Sequence, residues 1–248
     1  MLRTELENYT QQLLETIRFK DYCPNGLQVE GKNEIHKIVT GVTANMALLE
    51  SAVAAGADAI LVHHGFFWKS EDSRVIGIKQ RRLKYLLQHD LNLFAWHLPL
   101  DAHATLGNNA QLAIRLGLEV EGWFGDQNLA CFGVLPGAIS LQQFGEQIAN
   151  RLDRPPLLVG EPQQTISKVA WCSGGAQGYF ADASTLGVDA FITGEISEAV
   201  VHTARESGVA FIAAGHHATE RYGIQALGQH LAQQFGICHQ HIDIDSPA

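Results

Sequence analysis

The segment GADAILVHH at residues 56–64 carries the strongest fold signal in this chain, because a similar segment, GVDAFITGE, occurs at residues 187–195. Each copy has a glycine suited to ending a helix, followed by an apolar run typical of a buried parallel strand. Upstream, KIVTG at residues 37–41 matches KVAWC at residues 168–172, and the separation is 131 positions in both cases, 168 − 37 and 187 − 56. The pattern predicts an α/β fold of two similar units related by internal duplication, with mixed or mainly parallel sheets flanked by helices. The alternative to duplication is the likeness that all such strand-helix-strand units share.

Each unit also follows a strand with a histidine and then a carboxylate. His97 and Asp101 come after one apolar run, and His216 and Glu220 come after another, with a common separation of 119 positions, 216 − 97 and 220 − 101. Open α/β sheets build their sites at the carboxyl ends of their strands. We therefore expect the units to present these side chains at matching edges, with a metal site between them.

The layout predicts two α/β domains. Residues 1–124 and 216–248 form the first domain, and residues 125–215 form the second. A segment rich in glycine and proline at residues 122–137 marks the start of the second unit, since such a composition interrupts regular elements. The elements predicted near the termini are a helix near residues 4–18, a helix near residues 219–235 and a strand at residues 240–245.

Composition excludes several classes of protein. With 248 residues, of which 46% are hydrophobic and 17% charged, the chain can bury a sizeable core, so a disordered or fibrous protein is excluded. No apolar run approaches the roughly 18 to 20 residues that span a bilayer, and the start of the chain lacks a signal-peptide core. We expect a cytoplasmic protein without a membrane partner. The four cysteines form no C-x-x-C pair, which argues against a disulfide framework and a zinc ribbon.

The charge of the chain disfavours a nucleic-acid partner. A formal charge of −9 at pH 7 opposes non-specific binding to duplex DNA, which depends on phosphate neutralisation by Lys and Arg. One basic stretch at residues 79–84 leaves nucleic acid possible but not favoured, because such a run is also the ordinary solvated face of a helix. Twelve histidines are many for this length and point to metal binding instead.

Histidine nitrogens and carboxylate oxygens together suit borderline divalent ions such as Zn, Mn, Fe, Co or Ni. Without paired cysteines, an open catalytic site is favoured over a closed structural one. A carboxylate can bridge two ions, and each unit supplies one, so two divalent metal ions per subunit are expected. The candidate ligands are His63, His64, Asp101, His216 and Glu220.

Two further residues are candidates for catalysis. His97 is either another ligand or a proton donor to the substrate. Glu195 corresponds to His64 in the duplication and is either a general base or substrate contact, or simply a carboxylate at the start of a helix. The aromatic run at residues 66–68 either stacks on a base or covers the site. The turn SGG at residues 173–175 is a weak signal for a backbone that approaches phosphate.

The order of the motifs resembles the Nif-three-like family, whose members are named as homologues of GTP cyclohydrolase 1 type 2. The likeness extends from about residue 4 to residue 247 and is nearest to the short bacterial form. Its motifs are PNGLQV at residues 24–29, VTGV at 39–42, HHG at 63–65, HLPLD at 97–101, TGE at 193–195 and GHHATE at 215–220.

The resemblance implies a dinuclear site with ligands at His63, His64, Asp101, His216 and Glu220 and with His97 and Glu195 nearby in the cavity. It also implies a homo-oligomer, a toroidal hexamer whose sites face an internal cavity. Where many relatives have Pro-Leu after the histidine pair, this chain has GFFW at residues 65–68. The ligands are therefore retained while the surface beside them differs.

Three functions are compatible with these residues. The preferred one is a divalent-metal-dependent hydrolase that acts on a nucleotide or a related small phosphorylated or heterocyclic substrate. The first alternative is a GTP cyclohydrolase-type opening of a purine ring, assisted by His97 as proton donor. The second is a non-catalytic metal-binding or metal-delivery protein.

Overall fold

The apolar runs that begin at Ala59 and Ala190 form interior strands of two separate β-sheets. The computed structural model describes all 248 residues, Met1–Ala248. Unit 1 consists of Met1–Gly107 and Gly223–Ile244, and unit 2 consists of Asn108–Tyr222 and Asp245–Ala248. Each unit thus contains one of the two sheets.

The elements of unit 1 alternate between strands and helices from residue 37 to residue 102. Its last helix, α9 at His216–Phe235, begins within unit 2 and continues into unit 1. The other elements are α1 (Arg3–Leu13), β1 (Gly26–Val29), β2 (Lys37–Thr43), α2 (Met46–Ala54), β3 (Ala59–His64), α3 (Gly77–Gln88), β4 (Asn92–Ala95), α4 (Leu98–Ala102) and β11 (Cys238–His241).

Unit 2 contains more antiparallel structure. Its elements are α5 (Asn108–Leu116), β5 (Glu119–Phe124), β6 (Ala130–Ser140), α6 (Leu141–Leu152), β7 (Leu157–Val159), β8 (Thr165–Trp171), α7 (Phe180–Ser184), β9 (Ala190–Thr193), α8 (Glu198–Ser207) and β10 (Ala210–Ala213).

The sheet of unit 1 has five strands in the order β1-β4-β3-β2-β11. β2, β3, β4 and β11 run parallel, and β1 joins the edge antiparallel to β4. Alternate residues of β3 face opposite sides, so Ile60 and Val62 pack with α2 and α3, while Ala59 and Leu61 pack with α1 and α9. Burial on both faces explains why this strand reads as a continuous apolar run.

The sheet of unit 2 has six strands in the order β5-β6-β8-β9-β10-β7. Its central strands β8, β9 and β10 are parallel, whereas β5, β6 and β7 pair antiparallel. Ile192 packs on the face covered by α5 and α6, and Phe191 packs on the face covered by α7 and α8. Both units therefore have a mixed sheet flanked by helices, which confirms the predicted α/β class.

The two sheets repeat one arrangement at the separation seen in the sequence. Ile38 pairs with Ala59 in unit 1 and Val169 pairs with Ala190 in unit 2, each shifted by 131. The carboxylate of Asp58 accepts the backbone N–H groups of residues 36 and 37, and that of Asp189 accepts those of residues 167 and 168. Equivalent aspartates, Asp58 and Asp189, thus bind the backbone at the start of the equivalent strand in each unit.

Several bounds differ from the sequence predictions. The units divide at residues 107/108 and 222/223 rather than at 124/125 and 215/216, because α5 shares a core with α6 and β5 pairs with β6. The glycine-rich segment at residues 122–137 lies largely within strands β5 and β6. The predicted bounds of the C-terminal strand are wrong, since pairing with β2 places it at Cys238–His241 instead of 240–245. None of the helices combines the length and apolarity needed to cross a bilayer.

Candidate metal centre

Unit 1 brings four of the predicted side chains together at the carboxyl ends of its parallel strands. His63 and His64 end β3, His97 follows β4, and Asp101 lies on α4 one turn after His97. The Nε2 of His63 lies 3.5 Å from the Oδ1 of Asp101. One ring nitrogen from each of His63, His64 and His97 lies within 4.8 Å of the others, a separation at which they could share an ion.

Hydrogen bonds set which ring nitrogen of His63 faces this cluster. Its Nδ1 lies 2.9 Å from the backbone carbonyl of Trp96, and a carbonyl only accepts, so Nδ1 carries the proton. The fully buried Nε2 is then left with its lone pair in the neutral imidazole. His64 is oriented similarly, with its Nδ1 3.2 Å from the hydroxyl of Thr43 on the neighbouring strand. Outer hydrogen bonds of this kind are typical of histidines that ligate metals.

His97 is held by a carboxylate that the sequence patterns do not single out. The Oδ1 of Asp21 accepts from the Nδ1 of His97 at 2.7 Å and from the backbone of Tyr22 at 2.6 Å. Its Oδ2 accepts from the backbone of Leu98 at 2.9 Å and from the side chain of Asn25 at 2.8 Å. Asn25 in turn accepts the backbone N–H of His97 at 2.8 Å. The loop before β1 thus clamps both the ring and the backbone of His97.

The environment of Asp21 keeps it ionised. Burial alone would raise the pKa of this carboxyl, but the hydrogen bond and charge of His97, with the further donors around it, lower the pKa to about 2. The ionised carboxylate holds the proton of His97 on Nδ1, so Nε2 is the nitrogen available to a ligand or substrate. The only sequence signal for Asp21 was its place in a turn with Asn25, and a turn gives no indication of contact with a residue 76 positions away.

Cys23 lies in the same loop, and its thiol approaches Asp21 and His97 closely enough to form a further potential donor group. Burial and the charge of Asp21 raise the pKa of this thiol to about 12. The thiolate is the form that binds metals, so this group is a poor site compared with the three histidines.

Unit 2 assembles a second set of donors around His216. This residue begins α9, and Glu220 follows one turn later, as the four-residue spacing predicted. The Nε2 of His216 lies 3.1 Å from Oε2 of Glu220, and its Nδ1 lies 2.7 Å from Oε1 of Glu195, which follows β9. Glu220 is buried, whereas the side chain of Glu195 is 47% exposed. Glu195 is therefore placed to orient the His216 ring.

The charge around His216 favours a cation. Burial alone would lower the pKa of this imidazole, but the hydrogen bonds and charges of Glu220 and Glu195 outweigh it and raise the pKa to about 9. A proton on the ring compensates part of the negative charge of the two carboxylates. A divalent ion beside the same carboxylates would satisfy them in the same way, with the imidazole neutral and available as a ligand.

A glycine turn lies against the donors of unit 2. Gly174 has φ +69°, and a Cβ there would overlap the Oε1 of Glu220 and lie 3.2 Å from the Nε2 of His216. The N–H groups of Ser173 and Gly174 donate to the side chains of Asn109 and Thr219. These amides serve the fold of unit 2, so the turn gives no support to a phosphate cradle and instead leaves room for the Glu220 carboxylate.

Other histidines serve local structure. The Nδ1 of His103 accepts the backbone N–H of Leu106 at 3.0 Å, and its pKa is lowered chiefly by burial. His239 and His241 both contact the hydroxyl of Thr40, at 2.8 and 2.9 Å. These residues lie outside the donor groups described above.

Comparison with known proteins identifies the family. The model of the Duf34/NIF3 family (NGG1p interacting factor 3) matches residues 1–247. The chain belongs to this family. The Nif-three-like resemblance inferred from the order of motifs is thereby confirmed.

Relatives within the Duf34/NIF3 family match almost end to end. A protein from Pseudomonas aeruginosa is 54% identical over 95% of this chain and 94% of its own length. One from Escherichia coli strain K12 is 51% identical over the full length of both. Both are named GTP cyclohydrolase 1 type 2 homolog. The solved structure of protein ybgI, described as of unknown function, is 50% identical, with a TM-score of 0.96 and complete coverage of both chains.

The donor chemistry fits the metals that the sequence suggested. Within unit 1, three imidazoles and one carboxylate lie together, and within unit 2, one imidazole lies between two carboxylates. Nitrogen and oxygen donors of this kind accept Zn, Mn, Fe, Co or Ni. Residues in the structure could therefore hold a metal ion.

Proposed function

We propose that this Duf34/NIF3 protein is a divalent-metal-dependent hydrolase that acts on a nucleotide or a related small phosphorylated or heterocyclic substrate. The observation that carries the proposal is the pairing, in each unit, of a histidine Nε2 with a carboxylate oxygen, at 3.5 Å for His63 and Asp101 and at 3.1 Å for His216 and Glu220. Each histidine has its other nitrogen fixed by a hydrogen bond, as metal ligands usually do.

We propose that each chain binds two divalent ions, as the family resemblance implies. Two divalent ions held by these residues would lower the pKa of a bound water and would stabilise both the attacking and the leaving oxygen of a displacement. The ligands in this proposal are His63, His64, Asp101, His216 and Glu220.

The remaining residues of the two sets supply positioning and proton transfer. The Nε2 of His97, whose Nδ1 proton is held by Asp21, accepts a proton from the substrate or donates one to it. Glu195 holds the His216 ring through Nδ1, and its half-exposed carboxylate is open to the substrate. The cytoplasm is the compartment in which we expect this chemistry, and there the four thiols stay reduced.

Metal analysis combined with activity tests the proposal. Protein purified without chelator should contain about two divalent ions per chain by elemental analysis, and it should hydrolyse at least one member of a nucleotide and phosphoester panel with one of the five metals. His64→Ala and Glu220→Ala should lose metal and activity together. Thr203→Ala, on the exposed surface of α8, is a control that should keep both. Full turnover by a stably metal-free variant would contradict the proposal.

A second candidate is GTP cyclohydrolase-type ring opening, favoured by the His97–Asp21 pair as a proton donor and by the name that the relatives carry. Incubation with GTP followed by oxidation should then produce pterin-type fluorescence, and none should appear with His97→Ala. No fluorescence at high enzyme concentration excludes this reaction. Reversible transfer of the ions to an acceptor apoprotein, with no turnover on the whole panel, would identify a metal-delivery protein instead.

We further propose a homo-oligomer, in the form of the toroidal hexamer that the family resemblance implies. Large apolar side chains are exposed together at the start of α3, with Val75 at 51%, Ile76 at 56% and Ile78 at 59%. Such a patch is typical of a surface that is covered by another chain. Native mass spectrometry should give a mass near six times 27.1 kDa, and a monomer mass would contradict the proposal.

A further inference from the structure

The loop after the histidine pair places a tryptophan beside the candidate ligands. Phe66 is buried and Phe67 packs against the same hydrophobic core. Trp68 lies instead against two histidines, with its ring centroid 6.0 Å from that of His64 and 5.0 Å from that of His97. The two phenylalanines therefore belong to the core of unit 1, whereas Trp68 lies beside the candidate ligands.

The backbone of this loop is strained at Phe67, the residue between Phe66 in the core and Trp68 beside the histidines. Phe67 has φ +66°, in the left-handed region that bulky side chains rarely adopt. Hydrogen bonds on either side hold it there, from Phe66 N to the Gln28 side chain at 2.6 Å and from Lys69 N to the Tyr22 carbonyl at 2.8 Å. Strain of this kind persists where the surroundings enforce it, and it clusters at ligand-binding sites.

A second aromatic ring approaches His97 from another loop. Tyr22 is 64% exposed, and its ring centroid lies 6.3 Å from that of His97 at an interplanar angle of 61°. Lys69 links the two loops, because its backbone donates to the carbonyl of Tyr22 and its ammonium donates to the carbonyl of Asp21. Trp68 and Tyr22 are thus held in place around the same imidazole by backbone contacts.

We propose that Trp68 and Tyr22 form the subsite that receives the planar nitrogen heterocycle of the substrate. The proposal rests on the hydrolase function above and names the part of the substrate that unit 1 recognises. Stacking of a base on an aromatic side chain is worth about 1–3 kcal/mol and tolerates any base, because every base has a π face. The subsite therefore selects heterocyclic substrates over sugar phosphates but discriminates weakly among the bases. A ring seated there lies beside His97, the proposed proton-transfer residue.

Calorimetric binding of GMP and of ribose 5-phosphate to the full-length protein tests the subsite. The measurement is made with the metals bound and repeated after chelation, so that it does not depend on turnover. Wild-type protein should bind GMP more tightly than ribose 5-phosphate, and AMP, CMP and UMP should bind about as tightly as GMP. Trp68→Ala should weaken GMP binding roughly 5- to 150-fold, which is the stacking energy expressed as an affinity ratio, and leave ribose 5-phosphate unchanged.

Further variants separate stacking from general damage. Trp68→Phe keeps an aromatic face and should retain most of the affinity for GMP. Tyr22→Ala removes an exposed side chain and should weaken GMP binding without altering the melting temperature, so it tests the subsite even where Trp68→Ala fails to fold. Trp123→Ala removes an exposed tryptophan of unit 2 and should change neither ligand's affinity.

Two results would overturn the subsite. One is unchanged GMP affinity in both Trp68→Ala and Tyr22→Ala, and the other is an equal loss for GMP and ribose 5-phosphate. Failure of the hydrolase proposal looks different, because GMP binding then remains ring-selective and sensitive to residue 68 while no substrate is hydrolysed. If the protein hydrolyses nucleotides but binds GMP and ribose 5-phosphate equally tightly, the subsite is refuted and the hydrolase proposal stands.

Discussion

The two units share a scaffold but differ in the donors that they carry. Strands β2, β3 and β4 of unit 1 are arranged as β8, β9 and β10 are in unit 2, with Asp58 and Asp189 making the same pair of backbone hydrogen bonds. At the carboxyl ends, unit 1 has three imidazoles and one carboxylate, whereas unit 2 has one imidazole between two carboxylates. Common ancestry of the units remains a hypothesis that these equivalent contacts support.

The strand framework is shared by the two units while the donors on it differ, so the two can vary independently. His97 and His216 occupy matching positions after the last parallel strand, and each has a carboxylate oxygen 2.7 Å from its Nδ1. In unit 1 that carboxylate is Asp21, 3% exposed, and in unit 2 it is Glu195, 47% exposed. The same orienting contact is therefore made by a buried carboxylate in unit 1 and by a half-exposed one in unit 2.

The largest expected effect comes from removing a carboxylate charge from either donor set. Glu220→Gln and Asp101→Asn should each reduce metal affinity by more than the roughly 100-fold that loss of an outer hydrogen-bond partner costs, and activity should fall with it. In metal-free Glu220→Gln, the pKa of His216 should fall below about 9, because the charge of Glu220 helps to raise it despite burial. Metal content and a histidine NMR titration measure the two effects. Full metal content together with full activity in either variant would contradict the prediction.

The second-largest expected effect is a difference in kcat between variants of the two orienting carboxylates, Asp21 and Glu195. Asp21→Asn should lower kcat about 100-fold or more with little change in KM, because the buried amide no longer holds the proton of His97 on Nδ1. Glu195→Gln should lower kcat only about 10-fold, since water can replace the contact of Glu195 with His216. The pH profile of kcat should shift in Asp21→Asn, and nitrogen NMR should show the change in tautomer at His97. A greater loss of kcat in Glu195→Gln than in Asp21→Asn would contradict the prediction.

A pair of glycines provides a smaller and more local test. Gly174→Ala places a Cβ against Glu220 at φ +69°, so it should lower metal affinity about 10-fold and destabilise the protein by about 1–3 kcal/mol. Gly56→Ala is the matched control, with φ +71° and nothing within 4 Å of the added carbon. It should cost about 1 kcal/mol in unfolding free energy and leave metal binding unchanged. Equal metal affinity in both variants would show that Gly174 does not make room for the carboxylate.

Local sequence patterns account for the framework and for most of the donors. The apolar runs and their constant separation predict the parallel strands, and the end of a strand predicts where His63, His64 and His216 lie. Asp21 is not predictable in this way, because its contact with His97 depends on how a loop folds back across 76 positions. The bounds of unit 2 escape prediction for a similar reason, since β5 and β6 read as a glycine-rich break until their antiparallel pairing is known.

The smallest expected effect is on Asp58 and Asp189, which lie at the amino ends of β3 and β9, away from the metal donors at the carboxyl ends. Asp58→Asn should lower the free energy of unfolding by about 1–2 kcal/mol, because Asp58 also binds the Lys32 ammonium at 2.7 Å, and Asp189→Asn should cost about 1 kcal/mol or less. Burial opposes ionisation of Asp58, but Lys32 and the backbone donors lower its pKa below 3.8, so its contribution is present above that pH and is lost as the pH falls through the lowered pKa. The difference between wild type and Asp58→Asn in urea unfolding should therefore shrink on acidification. Metal content should stay unchanged in both variants, and a loss of metal from either would mean that the scaffold and the donors are not independent after all.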